Sequence, residues 1–435
     1  AAKTAAAAGA KVLVMEQTAD WGGRAVVDGV EINGASADEF VAATVAELQA
    51  MDNVTLKTRM MGAGVYDHGY LLGYERVTDH DPSLAGPRHR LWRIRTAQII
   101  SATGAIERPL SFAGNDIPGV LLASAVRDYL VNWGVSIGDR TIVVTNNDDA
   151  YRTAIALKQA GLSVPMILDA RASGGGALAQ QARDMGIRVE NGKAIAKVHG
   201  GKRVTAVSIC DQAGEGVVLD TIGCDAVAMS GGWSPVVHLY SHCGGKLNWD
   251  AEQVMFRPDL TRMPTNQNGQ GFVMPAGTAN GEMSTAATLA DATARAMDVV
   301  AALGKSAPTV TAPTAASEDA AAIEPVWMMP QGANIKLRMK TWLDYQNDVK
   351  VSDVQLAAQE GYESVEHTKR YTTLGMATDQ GKLSNINGLA TLSGALNADI
   401  PQVGTTTFRP PYTPISLASI AGSARDEVFQ PIRKT

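Results

Sequence analysis

The stretch Lys11–Gly23, KVLVMEQTADWGG, contains an apolar run, a carboxylate and then a loop with two adjacent glycines. An alanine-rich segment, AAKTAAAAGA, precedes it. This order predicts a helix followed by a buried parallel strand, because parallel strands are covered on both faces and read as continuous apolar runs. Glu16 follows that strand, where a dinucleotide-binding βαβ unit carries the acid that accepts hydrogen bonds from the adenine ribose. An acid here repels a 2′-phosphate, which favours NAD or FAD over NADP.

The glycine-rich G-x-G-x-x-G turn of such a unit does not occur before Lys11. We therefore expect the chain to begin inside the first helix of the unit, with the first strand and the turn upstream of Ala1. On this stretch alone, an ordinary α/β unit whose strand happens to end in glutamate remains the alternative.

Length and composition narrow the class of protein. The chain has 435 residues, 45% of them hydrophobic, which suffices for a large core and about two to four domains. A formal charge of −6 with dispersed lysines and arginines argues against nucleic acid as the main partner. The sequence has no apolar run of about 18 residues, so we expect no membrane span. Cys210, Cys224 and Cys243 form no C-x-x-C motif and indicate a reducing, cytoplasmic setting.

The rest of the first domain ends in a strand that closes with Thr103 and Gly104. Small residues at a strand end let the backbone approach a ligand. Together with the following AIERPLSFAGNDIPGV, this segment resembles the connection between the two dinucleotide-binding domains of flavoproteins such as thioredoxin and glutathione reductases.

Residues 140–170 predict a second strand–helix–strand unit, RTIVVTNND, AYRTAIALKQAG and LSVPMILDA. Asp148 and Asp149 lie at the expected start of its helix, where a pyrophosphate would bind in a working coenzyme site. Because two carboxylates repel a phosphate, we predict that this second site is vestigial.

Two later clusters invite a functional interpretation. His238, His242 and Cys243 suggest zinc, but a closed zinc site needs four ligands, so hydrogen-bonding or packing roles are favoured. The segment GFVMPAGTANGEMSTAATLA resembles the closing motif of the same flavoproteins. Gly277 takes the motif's glycine, whereas Thr278 stands where an aspartate normally binds the flavin ribityl chain. The resemblance therefore implies NAD rather than FAD in this chain.

The residues after an Ala/Pro/Thr/Ser-rich linker resemble the small helical domain that binds a two-iron, two-sulfur cluster. Ser352 is predicted to cap the first helix of this domain and Gly361 to end it. The positions that match the cluster ligands carry Asp344, Gln346, Asp379 and Ser384. Since an iron–sulfur cluster needs thiolates, we expect the fold without the cluster.

A turn in this small domain carries residues that suit a phosphate. The candidates are Lys369, Arg370, Thr378 and Lys382, which supply cationic and hydroxyl donors close in sequence. A solvated basic helix face is the alternative explanation of the same residues.

Four long segments resemble the α subunits of heterotetrameric sarcosine oxidases: IERPLSFAGNDIPGVLLASAVRDYL, MSGGWSPVVHLYSHCGGKLNWD, EHTKRYTTLGMATDQGKLSNINGLA and VGTTTFRPPYTP. The resemblance implies a complex that oxidises sarcosine to glycine, reduces O₂ to H₂O₂ and passes the methyl carbon to tetrahydrofolate. It further implies β, γ and δ subunits as partners, FAD in the β subunit, FMN at the interface with β, and NAD in the first site of this chain. The folate site would lie on a C-terminal domain that the sequence lacks.

The resemblance also implies site residues and domains. The NAD site would comprise Glu16, Gly22, Gly23, Arg24, Met61, Thr103, Gly104 and Gly277, and the FMN phosphate would contact Lys369, Arg370, Thr378 and Lys382. The expected domains are a first nucleotide-binding domain (1–139 and 255–303), an inserted second one (140–254), a linker (304–325), a small helical domain (326–400) and an extended connection (401–435). No catalytic residue and no metal ligand is predicted. Alternatives are a subunit of a related amino-acid or opine dehydrogenase or cyanide synthase-like complex, and a non-catalytic assembly scaffold.

Overall fold

A computed structural model describes residues 1–424 of the protein. The chain begins with α1 (Ala2–Ala7), β1 (Val12–Met15), α2 (Arg24–Val27), β2 (Glu31–Ile32), β3 (Ala35–Ser36), α3 (Ala37–Gln49) and β4 (Val54–Lys57). The strands β1 and β4 are parallel, with Val12 opposite Val54. The helix and parallel strand predicted around the opening stretch are therefore confirmed. The predicted burial of the strand is not, because Leu13 is exposed and the other residues of β1 are only partly buried.

A three-stranded antiparallel sheet comes next, followed by a return to parallel pairing. The sheet consists of β5 (Met60–Tyr66), β6 (Tyr70–Arg76) and β7 (His89–Arg95), and β8 (Ile99–Ser101) follows it. The segment that reads as one strand up to Gly104 is thus two strands, β7 and β8. The second of them pairs in parallel with a strand from much later in the chain.

The second unit is built on a five-stranded parallel sheet. Its first elements are β9 (Ala105–Glu107), β10 (Val120–Leu122), α4 (Ala123–Trp133), β11 (Thr141–Thr145), α5 (Asp149–Gln159), β12 (Met166–Asp169), α6 (Ala177–Asp184) and β13 (Arg188–Asn191). An antiparallel sheet of β14 (Lys193–Gly200), β15 (Val204–Asp211) and β16 (Asp220–Gly223) then leads to β17 (Ala226–Ser230). The parallel sheet has the order β10-β17-β11-β12-β13.

The two faces of this sheet are both buried. Along β11, Ile142 and Val144 pack into a core shared with β14 and β15, whereas Val143 packs into a core shared with α4 and α5. This alternation explains why the strand reads as a continuous apolar run in the sequence.

The chain then returns to the first unit. It forms β18 (Trp233–Pro235), α7 (His238–Ser241), β19 (Leu247–Asp250), β20 (Met255–Pro258), β21 (Val273–Pro275), a 3₁₀ turn (Gly277–Asn280) and α8 (Thr285–Ala302). The parallel partner of β8 is β21. As a result, the ends of β1 and β8 and the start of α8 border one cleft.

The small helical domain comes last. Its elements are α9 (Ile335–Arg338), β22 (Trp342–Asp344), β23 (Val349–Lys350), α10 (Val351–Gln359), α11 (Val365–Thr372), α12 (Asn385–Leu396), α13 (Ile400–Val403) and α14 (Leu417–Ala421). Leu343, Val354 and Leu389 form its core, onto which Trp249 of the β19–β20 hairpin also packs. Residues 425–435 of the expected connection lie outside the described residues.

The predicted cap of α10 is wrong. Ser352 lies within the helix, and the N-cap residue is Lys350, whose backbone N donates to the carboxylate of Asp353 in the first turn at 2.9 Å. The end of α10 is as predicted, because Gly361 follows it with a φ of 89°.

The predicted linker forms no helix or strand between residues 305 and 325, yet part of it is firmly held. We call residues 317–324 the strap, because they run along the second unit and reach α8. Within residues 1–424, no helix is both long enough and apolar enough to cross a membrane.

Candidate nucleotide-binding cleft

A cleft of about 3050 Å³ lies between the two parallel units. The first unit contributes the end of β1, the loop after it, the residues after β8 and the start of α8. The second unit contributes the start of α5, and the strap forms part of the wall. The predicted NAD-site residues that line this cleft are Glu16, Gly22, Gly23, Arg24, Met61, Thr103 and Gly104.

Glu16 presents one free carboxylate oxygen. Its Oε1 accepts hydrogen bonds from the backbone N and the Oγ1 of Thr18, both at 2.9 Å. Its Oε2 makes no hydrogen bond within the described part of the chain. The backbone is fixed on both sides, because Glu16 N donates to Lys57 O and Met60 N donates to Glu16 O, each at 2.8 Å. This arrangement suits an acid that accepts from ribose hydroxyls.

The paired glycines shape the loop after Glu16. Gly22 has a φ of 111°, and a Cβ there would come 3.0 Å from a methyl group of Val26. Gly23 has a φ of 53° and precedes α2 directly. Both positions therefore favour glycine, which adds no side chain of its own to this wall of the cleft.

Arg24 joins the loop to the second unit. Its guanidinium lies 4.9 Å from the ring centroid of Trp233, and its Nη2 donates to Asp28 at 2.8 Å. Asp28 also accepts from Arg127, which is only 2% exposed at its side chain and binds Asp149 of α5. These contacts fix the position of the glycine loop relative to α5.

The remaining predicted NAD-site residues are placed differently from one another. Thr103 donates its hydroxyl to Val236 O at 2.7 Å, so its Oγ1 is committed to the protein. The Sδ of Met61 accepts a hydrogen bond from Thr413 Oγ1 at 2.7 Å. Gly277 is buried behind the cleft wall, where its N donates to Asp291, and the neighbouring Thr278 lines the cleft instead.

The second unit carries a closed network at the edge where a coenzyme would bind. Arg171 is fully buried and pairs with Asp148 and Asp169, each at 2.7 Å. Tyr151 donates to Asp169 at 2.7 Å. The carboxylates at this edge therefore have partners in the protein, and Asp148 also accepts a hydrogen bond from Ala321 N of the strap at 2.8 Å.

His238 and His242 serve packing and hydrogen bonding. The ring of His238 lies 3.8 Å from that of Phe408 and 5.0 Å from that of Tyr412. Burial lowers the pKa of His238 to about 3, and the charge of Lys382 acts in the same direction. His242 accepts from Val65 N at 2.9 Å. Among the described residues, no group of three or more His, Cys, Asp or Glu side chains is arranged to hold a metal ion.

Three of the four predicted FMN-phosphate residues bond to different partners. Arg370 bonds to Glu366, Thr378 donates to Gln346 at 3.3 Å, and Lys382 donates to Tyr412 O at 2.6 Å. No hydrogen bond, ion pair or ring contact joins any two of the four in residues 1–424. Lys382 is half-buried beside Tyr412, which lines the cleft, whereas Lys369 and Arg370 lie on α11.

Comparison with known proteins assigns the family. The chain is 39% identical over 438 aligned residues to the sarcosine oxidase subunit alpha of Rhizobium meliloti (strain 1021), and 37% identical over 454 to that of Corynebacterium sp. (strain P-1). Both alignments cover 100% of this chain. The chain is a homologue of the sarcosine oxidase α subunits. It spans 42% and 45% of the length of these two relatives.

The A3 domain of sarcosine oxidase matches residues 338–423, which include most of the small helical domain. The fold of this α-subunit homologue resembles the crystal structure of L-proline dehydrogenase from P. horikoshii. The TM-score is 0.69 with 18% identity, covering 97% of this chain and 77% of that one. The predicted fold class, two Rossmann-like units followed by a small helical domain, is confirmed.

The α-subunit homologue also has cleft residues that sequence patterns did not identify. Trp233 contacts Arg24 although more than 200 residues separate them in the sequence. Tyr412, from the C-terminal segment, also lines the cleft. Glu318 lies in a stretch whose composition predicts only a linker. No local motif marks these residues, because their role depends on contacts between distant parts of the chain.

Proposed function

We propose that this chain is the nucleotide-holding part of a sarcosine oxidase α subunit, with NAD in the cleft beside Glu16. The free Oε2 of Glu16 is the observation that carries the proposal, since it offers an unpaired acceptor at the end of a parallel strand. The glycine loop would let the nucleotide backbone approach. Thr278 provides no carboxylate for a flavin ribityl chain, which favours NAD over FAD.

The complex would oxidise sarcosine to glycine, reduce O₂ to H₂O₂ and transfer the methyl carbon to tetrahydrofolate. In this proposal the β subunit holds FAD, FMN lies at the interface with β, and the γ and δ subunits complete the assembly. The folate site belongs to a further domain. The names of the relatives, which are α subunits of sarcosine oxidase, support a multi-subunit complex.

This chain would contribute binding and positioning rather than amine oxidation. Of the four FMN-phosphate candidates, we favour Lys382 for the flavin interface, because it lies beside a tyrosine that lines the cleft.

A cytoplasmic location is part of the proposal and is supported by three cysteines that form no disulfide.

The test is to identify the nucleotide released from the complete subunit purified with its partner chains. We expect NAD, and we expect Glu16→Ala to weaken its binding about 10- to 100-fold, because the variant removes hydrogen bonds to a charged acceptor. Glu31→Ala is the control, since Glu31 is exposed on β2 and does not line the cleft. Release of FAD, or of no nucleotide, would show that the proposal is wrong.

A further inference from the structure

The strap contacts the carboxyl edge of the second parallel sheet almost entirely through its backbone. Six hydrogen bonds hold its backbone there. The shorter four are Ala321 N to Asp148 Oδ2 at 2.8 Å, Arg171 Nη1 to Ala322 O at 3.1 Å, Asn146 Nδ2 to Glu324 O at 2.7 Å and Ala177 N to Asp319 O at 3.2 Å. The longer two are Arg171 Nη1 to Ala321 O at 3.5 Å and Glu324 N to Asn146 O at 3.4 Å. The strap thus lies on the edge where a Rossmann unit ordinarily binds its coenzyme.

The charges under the strap suit a peptide better than a phosphate. Arg171 carries one positive charge between two carboxylates, Asp148 and Asp169, so the network is negative overall. Its outward-facing groups are one carboxylate acceptor and one guanidinium donor, which pair with a backbone N–H and a backbone carbonyl. The uncharged backbone at Ala321 and Ala322 therefore satisfies this edge, whereas an anion bound in its place would add repulsion.

The strap is also fastened to the first unit by one side chain. Glu318 Oε1 accepts from Thr285 N at 3.1 Å and from Thr285 Oγ1 at 3.0 Å, at the start of α8. Glu318 Oε2 accepts from Arg152 of α5 at 3.0 Å. Because Thr285, Arg152 and Glu318 all line the cleft, this bridge spans it from one unit to the other.

We propose that the carboxyl edge of the second unit is a peptide-binding site for the strap, and that Glu318 makes the strap a lid over the nucleotide in the cleft. The proposal rests on the proposed function for the nucleotide itself. The Glu318 side chain is 30% exposed, whereas Arg171 is fully buried, so the lid opens by breaking the Glu318 bridge while the Arg171 end stays attached.

The experiment measures the rate of nucleotide release from the complete subunit in its complex, with labelled NAD bound and excess unlabelled NAD added. We expect Glu318→Ala to release NAD about tenfold faster, since it removes hydrogen bonds to a charged group. Arg152→Ala should act in the same direction, and the double variant should be little faster than Glu318→Ala, because both changes break one bridge. Glu318→Gln, which keeps the length but loses the charge, should be intermediate.

The matched control is Asp319→Ala, one residue further along the strap. The Asp319 side chain makes no hydrogen bond or ion pair in the described part of the chain. The rate of NAD release from Asp319→Ala should therefore stay within about twofold of the parent rate. If NAD is bound but Glu318→Ala, Glu318→Gln and the parent release it equally fast, the proposal that the strap acts as a lid is wrong. If the parent holds no NAD, the proposed function is wrong, and the lid with it.

Discussion

Glu107 is a buried carboxyl group at the end of β9, next to the start of α4. One of its oxygens accepts from Ser124 N at 2.7 Å, while the other has no hydrogen-bond partner among the described residues. Burial raises the pKa of Glu107 from 4.5 to about 7, and the negative charge of Asp149 adds to the effect. A carboxyl group near the cleft thus changes its charge close to neutral pH.

This pKa predicts how stability depends on pH. Between about pH 4.5 and 7 the folded chain holds a proton that the unfolded chain has released. The free energy of unfolding therefore falls as the pH rises through this window, by on the order of 3 kcal/mol at most. Glu107→Gln should remove that fall, measured by chemical denaturation at pH 5, 6, 7 and 8.

Glu31→Gln serves as the control, since Glu31 is exposed on β2. It should show the same decline between pH 5 and 7 as the parent. A Glu107→Gln variant with an unchanged slope would mean that Glu107 is already ionised at pH 5.

At the scale of elements, Asp344 at the end of β22 holds the loops of the small domain together. Its carboxylate accepts from the backbone N of Gln346 and of Asn347 at 2.9 Å and from Gly375 N at 2.7 Å. Ser384 Oγ approaches the same carboxylate at 3.5 Å. The residues that stand at the expected cluster-ligand positions thus lie together, joined by hydrogen bonds.

We predict that Asp344→Asn destabilises the small domain by about 2–3 kcal/mol, because an amide group would face N–H donors and leave some unpaired. Urea unfolding followed by circular dichroism measures the change. Asp348→Asn is the matched control, because Asp348 is exposed and asparagine tolerates its φ of 55°. Similar losses in both variants would contradict the role of Asp344.

The elements that sequence reasoning predicted well have strong local signals. The apolar run before Glu16, the glycines after it and the strand–helix order around Asp148 all appear in the structure. The cap of α10 differs from the prediction because the helix begins at Val351, one residue before Ser352, so the N-cap is Lys350, a residue type that the preference for Ser, Thr, Asp and Asn does not mark. The strap had no periodic pattern, so only its lack of helix and strand was predictable.

At the scale of the whole molecule, Arg127 links the two parallel units. It is almost fully buried and binds Asp28 of the first unit and Asp149 of the second. We predict that Arg127→Met lowers the free energy of unfolding by about 2–3 kcal/mol, since it removes hydrogen bonds to two charged carboxylates, which keep only Arg24 and Arg152 as charged partners. Calorimetry of the complete subunit should show the loss, with earlier separation of the two units.

The control is Arg188→Met, whose side chain is 59% exposed in its pair with Glu190. It should change the free energy of unfolding by less than about 1 kcal/mol, as exposed ion pairs usually do. If both arginine variants lose the same amount, Arg127 is not the link between the units.

The strap has a further consequence for how this chain can diverge over time. Asp148 and Arg171 bind the backbone N of Ala321 and the carbonyl of Ala322, atoms that every residue type except proline supplies in full. Substitutions at Ala320, Ala321 and Ala322 can therefore accumulate without breaking those contacts. Relatives that keep the same contacts need not share sequence identity across this segment. A sequence alignment would then miss the role of the strap, whereas a comparison of three-dimensional structures would detect it.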